Sequence, residues 1–204
     1  MSGPCWSGRQ LDALREVGNI GAGHAATVLS RLLGTRVEMT VPSAQVVPFD
    51  QVSAVLGGPE TPIIGICLAV RGDISASILY ALSVEEAFQL ASGLLGRPLS
   101  AEQGLGELGR STLEEVCNIL SGAVLGALSD LTRLNLKPTV PALAWDMAGA
   151  IVDAVLSPVG QESDMAIYVE TEFRTGGGGF HSQFFLVPDA ESVEIILRRL
   201  GVVE

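Results

Sequence analysis

The chain has 204 residues, 48% of them hydrophobic and 17% charged, with 12 Lys and Arg against 23 Asp and Glu and a net charge of −11. This length suits one sizeable domain or two small intertwined halves, and the aliphatic richness predicts a buried core rather than a disordered chain. The acidic balance, with no basic stripe along the sequence, argues against nucleic acid and against an anionic membrane surface; without an apolar run of about 18 residues or a basic-then-apolar start, the protein is expected to be soluble and cytoplasmic.

In chain order, residues 12–32 read as an amphipathic helix whose Leu14, Gly18, Gly21, Ala25, Val28, Leu29 and Leu32 share one face, with Ser7 or Asp12 as its cap. An extended stretch, 35–42, ends at Pro42, and a short segment, 49–58, leads into two strands, 62–70 and 72–82, joined near Arg71-Gly72-Asp73. Residues 84–96 read as a helix stopped by Gly96, and 96–110 as a link or a backward extension of the next helix. That helix, 111–131, puts Leu113, Cys117, Leu120, Val124, Leu128 and Leu131 on its apolar face, with Ser111 or Thr112 as cap. Residues 133–141 are extended and end at Pro141, 145–155 form a short helix, and 165–173 with 180–187 form a hairpin across the long, flexible turn at 174–179. A last helix, 189–201, closes on Gly201.

Laying 12–32 over 111–131 matches Leu14, Glu16, Val17, Asn19, Ile20, Gly23, Leu29, Ser30 and Leu32 with Leu113, Glu115, Val116, Asn118, Ile119, Gly122, Leu128, Ser129 and Leu131. Pro42 falls on Pro141 in the same register. The chain is therefore read as an internal duplication, one domain over 1–204 made of two repeats at about 8–97 and 105–204, each ordered helix, strand, short segment, hairpin, helix.

At 100° per residue, Asp12, Glu16, Asn19 and Gly23 gather on the face opposite the leucines, and Ser111, Glu115, Asn118 and Gly122 repeat the arrangement. A Glu on such a face is ordinarily no more than solvated. Asn and Gly, however, are poor choices inside a helix, glycine by up to about 1 kcal/mol against alanine. Both were kept while Arg15, His24 and Arg31 diverged to Glu114, Ala123 and Asp130, which favours a functional face. Gly18, Gly21 and Gly23 do not make a dinucleotide or phosphate loop, because they lie within a helical period and the copy replaces the first two with Cys117 and Leu120. Those two sit on the packing face as close-contact positions, whereas Gly23 and Gly122 leave room for something to approach. His24 and His181 are the only histidines and share no context, and Cys5, Cys67 and Cys117 are scattered, so neither a metal site nor a Ser-His-Asp triad is expected. An amide can orient water and a carboxylate can hold a lysine or a cation, so a site without its own nucleophile points to phosphoryl hydrolysis on another protein.

The pattern [Asp/Ser]-x3-Glu-x2-Asn-x22-Pro, present at Asp12/Glu16/Asn19/Pro42 and at Ser111/Glu115/Asn118/Pro141, resembles the CheC/CheX/FliY family of chemotaxis phosphatases, which dephosphorylate the response regulator CheY. Two intact motifs without a further domain are most like its CheC branch. The resemblance implies a pseudo-twofold α/β (α+β type) fold with a central antiparallel sheet and two long helices carrying the sites. It implies that Glu16 and Glu115 pair with a CheY lysine, that Asn19 and Asn118 orient the attacking water, and that Asp12 and Ser111 support the helix start or the docking surface. It also implies no cofactor of the chain's own, since the Mg²⁺ belongs to CheY; the pairing of the two halves within one chain separately points to a monomer when free. A second implied partner is the receptor deamidase CheD, through a helix similar to residues 145–155 with Asp146 at its surface; an ordinary helix packed by Met147, Ile151 and Val155 is the alternative. Competing functions are a flagellar-switch-like module that binds CheY without hydrolysis, and an adaptor directed at CheD.

Overall fold

The structure, a computed structural model describing residues 7–34, 36–157, 165–175 and 178–202, begins with α1 (Gly8–Leu33), started by a capping box between Ser7 and Gln10. Strand β1 (Glu38–Pro48) and the short helix α2 (Phe49–Val55) follow. The hairpin of β2 (Pro62–Gly72) and β3 (Ala76–Ser83) leads into α3 (Val84–Leu95), with Gly96 left-handed at its end. The same order recurs: α4 (Gly106–Thr132), β4 (Leu136–Pro138) with β5 (Ala142–Met147), α5 (Ala148–Leu156), the hairpin of β6 (Met165–Thr175) and β7 (Gly178–Pro188), and α6 (Ala190–Arg199).

All pairings in the sheet are antiparallel, in the order β1-β6-β7-β3-β2-β4 with β5 also on β2. The strand after each long helix therefore pairs with the hairpin of the other half, and β3 meets β7 at the centre. This exchange closes one sheet from two halves. The main core lies between the sheet and α1, α3 and α4, built on Leu14, Leu113, Ile66, Ile78 and Phe173 among others. A smaller cluster under α2 and α5 includes Val52, Ile151 and Phe185.

Several expectations need correction. Ser111 and Thr112 cap nothing: α4 starts five residues before Ser111, and the Thr112 hydroxyl donates to the Leu108 carbonyl at 2.7 Å. Asp12 is likewise inside α1, bonded to Arg15 at 3.2 Å, because Ser7 caps the helix. Val28, Leu32 and Leu131 are exposed, Leu32 by 62%. Leu32 and Leu131 keep the core angle but fall in the last turns, where little packs over them; periodicity gives a direction and not the reach of a partner. The turn between β6 and β7 is short, since pairing continues to Thr175 opposite Gly178. Residues 176–177 of that turn, and Cys5, lie outside the described residues.

Neither proline ends its strand. Pro42 lies inside β1, where the register shifts between Thr40 and Ser43, and Pro141 lies in the break between β4 and β5. A proline lacks the N–H that a regular ladder needs, so both copies interrupt their edge strand there.

The helix pair meets at Gly21, where a Cβ would stand 2.8 Å from the Val124 Cα, and Gly18 faces Val41. The close-contact reading of these two glycines holds. Cys67 and Cys117 are free thiols, and burial pushes the Cys67 pKa up to about 11 and that of Cys117 higher still. They behave as small core residues. Among the described residues no helix is long and apolar enough to cross a membrane.

Candidate active site

On α1, Asp12, Glu16, Asn19 and Gly23 are all exposed, while Leu14, Val17, Gly18 and Gly21 are buried. On α4, Ser111, Glu115, Asn118 and Gly122 are exposed, while Leu113, Val116, Cys117 and Leu120 are buried. The residue pairs at i and i+3 put each Glu and its Asn about 5–6 Å apart at Cβ, and a Cβ at Gly23 or Gly122 would meet nothing within 4 Å. Each helix thus presents an acid, an amide one turn on, and bare backbone one turn further. The two sets stand on separate helices, each with its own carboxylate and carboxamide.

The two faces are not supported alike. Asn19 Oδ1 accepts a hydrogen bond from the Val41 N–H at 3.3 Å. Val41 sits in the irregular interval of β1, so the bulge that Pro42 imposes releases an N–H that fixes the plane of the carboxamide. This accounts physically for the spacing between Asn19 and Pro42. In the second half Val140, the counterpart of Val41, is 87% exposed, and among the described residues the Asn118 side chain has no hydrogen-bond partner. There α4 reaches the sheet edge differently: Glu114 accepts from the Leu143 N–H at 3.3 Å, and Arg110 donates to the Leu143 carbonyl at 2.8 Å. Glu114 is therefore an edge clamp, not the freely diverging surface position its mismatch with Arg15 suggests. Nothing in the one-dimensional pattern separates those two roles.

Asp146 does not lie on a helix. Trp145, Asp146 and Met147 belong to β5, opposite Ile64, Ile63 and Pro62, and α5 starts at Ala148. A short apolar run reads equally as strand or helix until its pairing is known. Asp146 is exposed, and its Oδ1 accepts from the Met147 N–H at 2.8 Å. Met147 does not pack the helix, being 54% exposed, whereas Ile151 and Val155 are buried. Trp145 stands edge-on to Phe88, with ring centroids 5.7 Å apart. The histidines stay apart in role: His24 is exposed, and His181 Nδ1 lies 3.9 Å from the Glu170 carboxylate.

A family model described as the CheC-like family matches residues 10–45, the segment containing Glu16, Asn19 and Pro42. The CheY-P phosphatase CheC of Bacillus subtilis (strain 168) is 37% identical over 196 residues, covering 94% of each chain. The chain belongs to the CheC-like family. The fold agrees with this membership: Thermotoga maritima FliY superposes with a TM-score of 0.78 at 21% identity, covering 96% of this chain and 98% of that one. A chain of the Borrelia burgdorferi CheX-CheY-BeF3-Mg²⁺ complex gives 0.53 at 16% identity, covering 87% and 96%. In this CheC-like chain the exposed Glu and Asn of α1 fall within the stretch that the family model matches, and those of α4 lie in the duplicate beyond it.

Proposed function

We propose that this chain is a hydrolase that removes the aspartyl phosphate of the chemotaxis response regulator CheY. The observation that carries the reading is the doubled, solvent-facing Glu/Asn pair with open glycine backbone beside it; the relative named as a CheY-P phosphatase supports the substrate. Glu16 and Glu115 dock CheY by pairing with a lysine of its active site. Asn19 and Asn118 enter beside the phosphoryl group, and the carboxamide accepts one hydrogen bond from water and turns the water oxygen toward phosphorus. A P–O bond to water forms as the bond to the aspartyl oxygen breaks, releasing phosphate and a carboxylate. Asp12 and Ser111 contribute docking surface rather than a helix start. The Mg²⁺ belongs to CheY, where it screens phosphoryl charge, and this chain contributes only positioning. The test is phosphate release from labelled phospho-CheY with and without the chain; release no faster than that of CheY alone rejects the reading.

The glycines provide a separate check. G23A and G122A each replace a helical glycine in open space, so each is expected to raise stability by up to about 1 kcal/mol. The same methyl stands where CheY has to approach, so phosphate release is expected to slow. Thermal melts and the release assay read the two effects on one protein.

We also propose that the β5 edge binds CheD, through Asp146 and the exposed Trp145 and Met147 beside it. D146K is expected to abolish co-precipitation with CheD while leaving phosphate release unchanged.

A further inference from the structure

Although the sequence has no basic stripe, the fold assembles one. Five of the twelve Lys and Arg, namely Arg71, Arg133, Lys137, Arg198 and Arg199, are exposed on four segments that meet around one corner at the end of the sheet: the end of β2, the cap of α4, β4, and the last turn of α6. Arg71 and Lys137, alternating with the core-facing Val70 and Leu136, stand on the sheet face away from α4 and α6. Arg71 lies directly opposite Lys137 across the β2/β4 pair. Arg198 and Arg199 line a shallow pocket with Asp73 and Leu134. Reciprocal bonds, from the Asp73 N–H to the Asn135 carbonyl and from the Asn135 N–H to the Asp73 carboxylate, tie the β2–β3 turn to the segment after Arg133. The acids on the same segments are Asp73, already an acceptor for Asn135, Asp130 three residues before Arg133, Asp189 and Glu191 at the far end of α6, and the exposed Glu194, 3.9 Å from Arg198. Among the described residues Arg71, Arg133, Lys137 and Arg199 have no ion pair.

Two of these cations stand where the fold alone prefers something else. Arg133 has φ 61° and, among the described residues, is the one non-glycine residue with positive φ. Its counterpart in the first half is Gly34 at φ 62°. An L-residue there is strained, and glycine relieves the strain. Lys137 opposes Arg71, and like charges facing each other across a sheet are destabilising, whereas its counterpart Glu38 opposes Arg174. Both departures add positive charge to the same corner, against local stability.

We propose that this corner docks an acidic peptide segment of a protein partner, one carrying several carboxylates within a few residues. Guanidinium groups match carboxylates in geometry and charge. The rest of the molecule, with seven cations and most of the 23 acids, repels any polyanion that reaches beyond a screening length of about 10 Å. A nucleic acid or a membrane extends that far; a short acidic segment remains over the corner. This surface is separate from the Glu/Asn faces and does not depend on their chemistry.

The experiment is fluorescence anisotropy of a labelled tetraglutamate peptide, about 13 Å when extended, with the full chain, at about 20 mM salt, where the screening length is roughly 20 Å, and again at about 150 mM. The native chain, despite its net charge, is expected to bind the peptide and to weaken with salt. R133G gives the strained position its glycine, and K137E gives Arg71 an opposite charge, so melting temperatures are expected to hold or rise in the single variants and in R133G/K137E. Peptide affinity of the double variant is expected to fall on the order of 10-fold or more, and K137E alone gives part of that loss. No binding by the native chain, undiminished affinity in the variants, or binding of mixed phosphatidylcholine/phosphatidylserine vesicles in place of the peptide overturns the proposal.

Discussion

Alanine at both Asn19 and Asn118 is expected to return phosphate loss from CheY to the rate CheY shows alone, a drop on the order of 100-fold or more from the native chain. Alanine has no atom that can accept a hydrogen bond from water, so the attacking oxygen is no longer held in line. Each single variant keeps measurable activity because the other helix still presents an intact pair. Asn19→Asp, made in the Asn118→Ala background, sharpens the test. A carboxylate can still accept the Val41 N–H that now binds Asn19 Oδ1, so the local structure survives. It loses the amide donors, however, and brings a negative charge toward the phosphoryl group, so it is expected to be inactive at normal stability. Loss of activity accompanied by loss of fold would instead point to a structural role.

The second large effect is on stability. Gly21→Val is expected to lower unfolding free energy by about 2–3 kcal/mol, because added atoms at a packed contact force backbone to move. The first added carbon already lies 2.8 Å from the Val124 Cα and 3.0 Å from its Cγ2, and a backbone atom has no rotamer to escape into. For a chain of this size the melting temperature is expected to fall by roughly 5–10 °C. Gly23→Val, two residues along the same helix, meets open space and is expected to cost far less. The two substitutions carry similar helix propensities, so their difference isolates the helix–helix contact; equal melting temperatures would refute it.

What the sequence made legible follows from which interactions leave a periodic mark. The doubled Glu-x-x-Asn and its proline identified the family, and the angle of each residue around its helix placed Glu16, Asn19, Glu115 and Asn118 in solvent, as found. The hairpins and closing helices were readable because alternation and glycine stops are local. Strand exchange between the halves was not, since nothing local tells β1 to pair with β6 rather than with β2. Trp145 and Asp146 looked helical because a few apolar residues fit either period; pairing with β2 decides for strand. The roles of Glu114 and Arg110 at Leu143, and the gathering of Arg71, Arg133, Lys137, Arg198 and Arg199, depend on which segments the fold brings to one edge. The bond from Val41 to Asn19 lies between: the Asn-to-Pro spacing is visible in both halves, whereas the N–H that the bulge of β1 frees for Asn19, with no counterpart at Asn118 among the described residues, is not.

The central claim is that the outer faces of α1 and α4 are where phosphorylated CheY lands. The most direct measurement is an amide NMR footprint of the isotope-labelled chain titrated with beryllofluoride-activated CheY. The account predicts shifts centred on residues 12–23 and 111–122, weakened on α1 by Glu16→Arg and on α4 by Glu115→Arg. A footprint confined to β5 and α5, or one that ignores both charge reversals, would contradict it.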